Sequence, residues 1–174
     1  TEQTVDIKYQ VVGPTGCGTL DNYQDNGVKV KTGTVKGSTP TPAKGYKFVG
    51  WYTNEACTTA VDSSWIAANK LTPQQEGTDP NKMYKAATYY AKFEKDVADL
   101  TIKKTGCSDA DEYQSFIFDV KDENDKLITT VTIHGNSSAT IKDLQIGDYT
   151  VTEKTEWSWR YEPKANNQSI TLDV

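Results

Sequence analysis

One segment decides the fold of the C-terminal half of the chain, and it reads Leu144-Gln145-Ile146-Gly147-Asp148-Tyr149-Thr150-Val151-Thr152-Glu153. Gly147 provides a tight turn, and the strand after it alternates Tyr149, Val151 and Glu153 on one face. The alternation therefore places a carboxylate at a position where the pattern requires a core residue. A buried carboxylate is costly unless it is paired or neutralised. The segment predicts a strand with one inward acid that needs a partner.

A second segment breaks the same rule with the opposite charge. The run Leu100-Thr101-Ile102-Lys103-Lys104 aligns Leu100, Ile102 and Lys104 on one face of a strand. The sequence thus predicts that Lys104, and not Lys103, points inward. One inward lysine and one inward glutamate in a small β domain form either a buried ion pair or a reactive pair.

The C-terminal half around these two segments has the sequence pattern of a β-sandwich. Its strands are spaced by about ten residues with turn signals between them. Six strands are predicted: Leu100–Lys104, Phe116–Lys121, Leu127–His134, Ala139–Leu144, Tyr149–Glu153 and Ser169–Val174.

The N-terminal half has a different pattern. Val5, Ile7, Tyr9 and Val11 alternate as a strand. Further strands are predicted around 28–30, at 45–52 and at 89–94, with a polar connection at 37–42, a short helical turn around Trp65 and an exposed insertion over 73–82. The aromatic run at 45–52 contains Trp51, which we expect in the core because of its large apolar area.

Composition limits the classes of function. The chain has 174 residues, a net charge of −5 and 36% hydrophobic residues, which is typical of a soluble all-β protein. The acidic balance argues against a nucleic-acid partner, and we expect no membrane insertion because no apolar run could span a bilayer. We find no signal peptide and expect a mature fragment. The short connector at 95–98 predicts two domains, 1–96 and 97–174, with limited freedom between them.

Three cysteines, Cys17, Cys57 and Cys107, show no paired metal-ligand spacing, and His134 is the only histidine. We therefore expect no metal site. In a secreted protein, Cys17 with Cys57 is the natural disulfide because both fall in one domain and in turn-like contexts, which leaves Cys107 free. Three buried or free thiols are the alternative.

The two inward-charge segments resemble the B-type repeat domains of collagen-binding adhesins and Gram-positive pilins, in which a Gly-x-Tyr-x-x-x-Glu strand supplies a glutamate and the first strand supplies a lysine. The resemblance implies an Ig-like or prealbumin-like sandwich. It also implies that Lys104 is a nucleophile that forms an amide with an Asn or Asp side chain, and that Glu153 shuttles the proton. Desolvation makes a lysine less basic and more nucleophilic, and a protonated glutamate can polarise the amide.

In that family the acceptor lies on the last strand of the domain. Residues 168–174 look like the penultimate strand, so the resemblance implies an acceptor beyond Val174. Candidates within the chain are Asn166, Asn167 and Asp173. The alternative is an unreacted structural pair at the domain edge.

The N-terminal half resembles another family. The run Gly45-Tyr46-Lys47-Phe48-Val49-Gly50-Trp51-Tyr52, followed later by Tyr89-Tyr90-Ala91-Lys92-Phe93-Glu94, is similar to Listeria-Bacteroides repeats of the internalin B-repeat type. The resemblance covers roughly residues 4 to 95. It implies a small β-grasp-like module of the kind found in extracellular stalks.

A third motif, Trp157-Ser158-Trp159-Arg160-Tyr161, places Trp157, Trp159 and Tyr161 on one face if the segment is a strand. An exposed aromatic row of this kind could stack on sugar rings or on a protein partner. The alternative is that the three rings cap the open end of the sandwich.

No constellation for catalysis on an external substrate is evident, so we expect neither an enzyme nor a cofactor. The first functional hypothesis is a structural stalk or spacer of a secreted, cell-wall-attached bacterial surface protein, an adhesin or pilin-like protein. Its partners are then the neighbouring domains of the same protein, and its location is the bacterial cell surface. The second hypothesis is a module that binds a host glycan or matrix protein through exposed aromatics.

Overall fold

The computed structural model describes residues 1–158, 160–164 and 166–173, without the side chain of Trp157. The chain divides into unit 1, Thr1–Lys95, and unit 2, Asp96–Val174. This division lies one residue from the boundary that the sequence predicts. Within the described residues the fold is mainly β, with short 3-10 turns at Ser63–Trp65, Asp109–Asp111 and Thr155–Trp157.

Unit 1 is built on a mixed sheet. Its described strands are β1 (Thr4–Val12), β2 (Gly18–Leu20), β3 (Gln24–Lys29), β4 (Pro40–Pro42), β5 (Tyr46–Tyr52), β6 (Ile66–Ala67), β7 (Lys70–Leu71) and β8 (Ala87–Lys95). The main sheet has the order β3-β1-β8-β5, in which β1 and β8 run parallel and the outer pairs are antiparallel. Two small antiparallel pairs, β2 with β4 and β6 with β7, complete the unit.

Aromatic side chains dominate the core of unit 1. Tyr9, Trp51 and Phe93 are each only 1% exposed. The Trp51 ring meets Tyr9 edge-on, with 5.9 Å between ring centroids, and its Nε1 donates a hydrogen bond of 2.8 Å to the carbonyl oxygen of Asn69. The prediction that Trp51 belongs to the core is confirmed.

Unit 2 places strands in two antiparallel sheets. Its described strands are β9 (Val97–Lys103), β10 (Ser115–Asp122), β11 (Leu127–His134), β12 (Ser138–Gln145), β13 (Gly147–Glu153) and β14 (Gln168–Leu172). One sheet has the order β11-β10-β13-β14, and the other pairs β12 with β9. All six strands predicted from the sequence are present, each shifted by a few residues at most.

Side chains from both sheets of unit 2 meet in one core. Leu100 of β9 and Leu144 of β12 share it with Phe116 and Val120 of β10, which are fully buried. On β13, Tyr149 and Glu153 are buried and Val151 is half-buried, so the predicted alternation holds. The inward glutamate of the opening segment is therefore part of this core.

Sequence patterns missed the shortest strands of unit 1. The segment at 37–42, predicted as a connection, contains β4, which pairs with β2 through Leu20 and Pro40. Strands of two or three residues carry no measurable alternation, and proline is acceptable only at a sheet edge or strand start. Pairing with a partner distant in sequence creates these strands.

Cys17, Cys57 and Cys107 are free thiols in this structure, so the Cys17–Cys57 disulfide expected in a secreted protein stays a prediction. Cys17 is buried against Gly13, where an added Cβ would come within 2.9 Å of its sulfur. Cys57 lies in the loop after β5 and donates its thiol hydrogen to the carbonyl of Glu55 at 3.5 Å. Cys17 and Cys57 therefore lie in different local environments. Burial raises the pKa of both thiols.

Candidate functional site

The two inward charges of unit 2 meet. Lys104 directly follows β9 in one sheet, and Glu153 ends β13 in the other. Lys104 Nζ lies 2.9 Å from Glu153 Oε2, which joins residues 49 positions apart. The alternation on each strand, read separately, correctly predicted that both side chains point inward.

The pair is buried in apolar surroundings. The side chain of Lys104 is 12% exposed and that of Glu153 is 5% exposed. Lys104 Nζ also sits 4.3 Å from the centroid of the Phe116 ring, a cation–π contact with a fully buried aromatic. The register of β10 against β13 places Phe118 opposite Glu153 on the neighbouring strand.

Only one oxygen of the Glu153 carboxylate is satisfied. Oε2 accepts from Lys104, while Oε1 is buried and has no hydrogen-bond partner among the described residues. A buried polar atom without a partner costs about 1–3 kcal/mol, and more when it is charged. The arrangement is thus poorer for stability than a fully bonded ion pair.

Asn166 holds the main chain of Glu153. Its Oδ1 accepts from the Glu153 N–H at 2.8 Å, and its Nδ2 donates to the Glu153 carbonyl at 3.1 Å. These two bonds continue the pairing of β13 beyond the start of β14 at Gln168. They position Glu153 at the end of its strand.

A cleft of about 170 Å³ adjoins the pair, between β9 and β14. Leu100 and Ile102 line it from β9, and Ile170 lines it from β14. Glu153 and Asn166 supply polar atoms to its wall. The cleft therefore adjoins the buried pair.

The three acceptor candidates within the chain have different environments. Asn166 lines the cleft, but its amide is engaged by the main chain of Glu153. The Oδ1 of Asn167 accepts from Thr152 Oγ1 at 2.7 Å, on the exposed face of the sheet. Asp173 is exposed and follows β14. None of these contacts directs a carboxamide or carboxyl carbon toward Lys104 Nζ.

The aromatic row predicted as a binding surface is described only at Tyr161. Trp159 and the side chain of Trp157 lie outside the described residues. The Tyr161 ring packs edge-on against Phe116 at 5.5 Å, its hydroxyl donates to Asp111 Oδ2 at 2.5 Å and accepts from the N–H of Ser108 at 3.0 Å. Tyr161 therefore packs against other residues of unit 2, which agrees with the capping alternative for this one ring.

Tyr161 and Asp111 also form a small polar cluster with Arg160, whose guanidinium contacts Asp111 Oδ2. The bond from Tyr161 holds the pKa of Asp111 below its usual range, and the same bond raises the pKa of Tyr161. This cluster ties the 3-10 turn at Asp109–Asp111 to the segment after β13. It is a structural clamp.

Three features of the site could not be read from the sequence. They are the contact of the Phe116 ring with the Lys104 amine, the two hydrogen bonds from Asn166 to the main chain of Glu153, and the exposure of Ile170. Phe116 was in a predicted strand, but its contact with Lys104 depends on how the two sheets face each other. The role of Asn166 depends on the register of β13 with β14. No pattern within a single strand carries either piece of information.

Chemically, the site combines an amine, a carboxylate within hydrogen-bond distance and an apolar wall. Such a pair can exchange a proton, which leaves a neutral amine as a nucleophile. Among the described residues, no group of three or more His, Cys, Asp or Glu side chains could hold a metal ion.

No described helix is long and apolar enough to cross a membrane. Comparisons with protein-family models, curated proteins and solved structures find no match for this chain. The function is therefore argued from the site itself.

Proposed function

We propose that this chain is a structural spacer of a secreted, cell-wall-attached bacterial surface protein, and that unit 2 forms an intramolecular amide through Lys104. One observation carries the proposal: Lys104 Nζ and Glu153 Oε2 are 2.9 Å apart within an apolar core. Among the described residues the pair leaves Glu153 Oε1 without a hydrogen-bond partner, so it stabilises the unit less than a fully bonded ion pair would. A reactive role accounts for its presence.

The proposed reaction balances without a cofactor. Glu153 takes one proton from the Lys104 ammonium, which leaves a neutral amine and a carboxylic acid. The amine attacks the side-chain carbonyl carbon of an asparagine while the acid donates a hydrogen bond to that carbonyl oxygen. The C–N bond of the original amide breaks, and its nitrogen leaves as ammonia after taking one of the two amine protons, while the other stays on the new amide nitrogen. With an aspartic acid acceptor, water leaves instead.

The acceptor in this proposal lies on a further strand beyond residue 174. Asn166 and Asn167 have their amides engaged elsewhere, by the main chain of Glu153 and by Thr152 respectively. A strand beside β9 would bring an acceptor close to Lys104, because β9 ends directly before this lysine.

The proposal also includes a specific fold type for each of the two units. For unit 1, the mixed sheet with a central parallel pair, β1 and β8, supports a β-grasp-like module of the Listeria-Bacteroides repeat type. For unit 2, two antiparallel sheets around one core support a collagen-adhesin B-type sandwich of Ig-like or prealbumin-like type. Two such modules joined through Asp96 would extend a surface protein away from the cell wall.

Intact mass tests the proposal directly. A longer chain that includes the residues after Val174 in the parent protein should have a mass lower by one ammonia, or by one water, than its sequence predicts. Lys104→Ala should restore the unmodified mass, while Lys103→Ala, one position along on the exposed face, should leave the loss in place. An extended chain with unmodified mass would refute amide formation.

A further inference from the structure

The outer strand pair of the main sheet in unit 1 contains a β-bulge at an Asn-Gly step. The register of β1 with β3 shifts between Val5 and Ile7, so Asp6 of β1 lies opposite two residues of β3, Asn26 and Gly27. A bulge interrupts the ladder of main-chain hydrogen bonds, and β3 is the outer strand of its sheet. The main chain at this step is therefore held less firmly than in the middle of the sheet.

The main-chain N–H of Gly27 donates a hydrogen bond to a carboxylate. Gly27 N lies 2.8 Å from Asp6 Oδ1. Gly27 has a φ of +60°, which favours glycine, and the space that a Cβ would occupy there is open. A carboxylate in this position can take the proton of the N–H as its nitrogen attacks a nearby carbonyl carbon.

The side-chain amide of Asn26 supplies such a carbon on the preceding residue. Attack by the Gly27 nitrogen on Asn26 Cγ closes a five-membered ring within one chain, so the two groups need no diffusional encounter. Gln24 Nε2 donates a hydrogen bond to Asn26 Oδ1, the oxygen on which negative charge develops during the attack. Asn26 and Gly27 are both exposed, so ammonia can leave and water can enter.

We propose that Asn26–Gly27 is a site of self-modification, at which Asp6 and Gln24 promote closure of a succinimide ring. The Gly27 nitrogen bonds to Asn26 Cγ as Asp6 takes its proton, and the carboxamide nitrogen leaves as ammonia after receiving that proton. Water then adds to one of the two imide carbonyls and breaks its C–N bond. The product at position 26 is aspartate or isoaspartate, and water is the only co-reactant.

The modification would weaken the pairing of β1 with β3. Isoaspartate lengthens the main chain by one methylene group, and either product places a carboxylate on β3 opposite Asp6, where like charges repel. Val28, which follows the step, is buried at 6% exposure and depends on the register of β3. The reaction therefore loosens an outer strand of unit 1 without cutting the chain.

A second asparagine of the chain provides an internal control. Asn136 is followed by Ser137, and its carboxamide is held at both ends. Its Oδ1 accepts from the Cys107 N–H at 2.7 Å, and its Nδ2 donates to the Cys107 carbonyl at 2.6 Å. We expect Asn136 to stay intact while Asn26 reacts.

Peptide mapping by mass spectrometry during incubation of the full 174-residue chain at neutral pH tests the site. We expect amide-to-acid conversion at Asn26, and methylation by an isoaspartate-specific methyltransferase should identify the isoaspartate fraction. Asn26→Gln should stay unmodified, because its side chain is too long to close the five-membered ring.

Two aspartates provide matched variants. Asp6→Asn keeps an oxygen acceptor for Gly27 but removes the base, and should slow the conversion at least about tenfold. Asp99, whose Oδ1 accepts the N–H of Asp143 at 3.1 Å, is the control, and Asp99→Asn should leave the rate unchanged. Gln24→Met should slow the conversion as well. Circular dichroism verifies that the variants remain folded.

Equal or faster conversion in Asp6→Asn would overturn the proposal, as would an intact Asn26 or conversion of Asn136 at the same rate. An unchanged rate in Gln24→Met would overturn the part assigned to Gln24. The succinimide lacks one ammonia, as does the amide proposed at Lys104, and the peptide map separates them by position. Each proposal can therefore fail while the other stands.

Discussion

The two units differ in how they satisfy a carboxylate, half-buried at Asp25 of unit 1 and buried at Glu153 of unit 2. In unit 1, both oxygens of Asp25 are occupied: Oδ2 accepts from the Tyr9 hydroxyl at 2.8 Å and from the Gly37 N–H at 3.1 Å, and Oδ1 accepts from Asn22 at 3.1 Å. In unit 2, Glu153 has one bonded oxygen and one buried oxygen without a described partner. The first arrangement stabilises a fold, and the second leaves hydrogen-bonding capacity for something else.

The two cores differ in the same sense. Unit 1 fills its inward positions with aromatic rings such as Trp51 and Phe93, and burial with the Asp25 bond raises the pKa of Tyr9, so its hydroxyl stays a neutral donor. Unit 2 gives two inward positions to charged residues and leaves Ile170 open. Unit 1 therefore fills its core with closely packed rings. Unit 2 is less completely packed at the end of its core where the charged pair and Ile170 lie.

Loss of the central ring of unit 1 should have the largest effect. Trp51→Ala should lower the free energy of unfolding of unit 1 by about 3–5 kcal/mol, because it empties a large buried volume and removes the bond to Asn69. Peptide-resolved hydrogen exchange in denaturant on the full chain reports each unit separately. Tyr113→Ala, at a residue 84% exposed, is the control and should change little. An unchanged unit 1 in Trp51→Ala would contradict the packing view.

Breaking the buried pair should be the next largest change. Lys104→Met alone leaves Glu153 as an uncompensated buried carboxylate and should destabilise unit 2 by about 3 kcal/mol. Adding Glu153→Leu should recover most of this loss, since an apolar pair fits the same core.

The same exchange measurement, read over unit 2, gives both values. If the double variant is as unstable as Lys104→Met, then the pair is a net stabilising element. In that case the contrast between the two units fails.

The Asn166 clamp should contribute less. Asn166→Ala removes two hydrogen bonds to the main chain of Glu153 and should cost about 1 kcal/mol. Urea denaturation followed by circular dichroism measures the change. Thr171→Val, which removes an exposed bond to Asp148, is the comparison and should cost less. A larger cost for Thr171→Val would argue against a positioning role for Asn166.

The smallest change in stability is expected at Lys103, next to the buried Lys104–Glu153 pair. Lys103 is exposed, so Lys103→Met should change the stability of unit 2 by less than about 0.5 kcal/mol. The same denaturation experiment, run beside Lys104→Met, measures the difference between adjacent lysines. Similar losses for the two variants would mean that the inward register of Lys104 has been misassigned.

Much of unit 2 was predictable because its strands are long enough to show alternation. Leu127–His134 was located with its observed bounds, and the inward directions of Lys104 and Glu153 followed from period-2 patterns alone. In unit 1, β4 was missed because three residues with two prolines carry no such signal. The Cys17–Cys57 pairing stays a prediction for an oxidising compartment, since both sulfurs are free thiols in this structure and shared membership of a unit does not by itself bring two sulfurs together.

The inward direction of these side chains was readable from the amino-acid sequence, since alternation along a strand is a local property of extended backbone. The sequence therefore indicated one inward lysine and one inward glutamate, and it placed Trp51 in a core. Tertiary packing brings these charges to 2.9 Å from each other and places Phe116 beside the amine, and it leaves Glu153 Oε1 without a partner among the described residues. These features depend on strand register and on the unequal widths of two facing sheets, which are set by contacts between residues far apart in the chain.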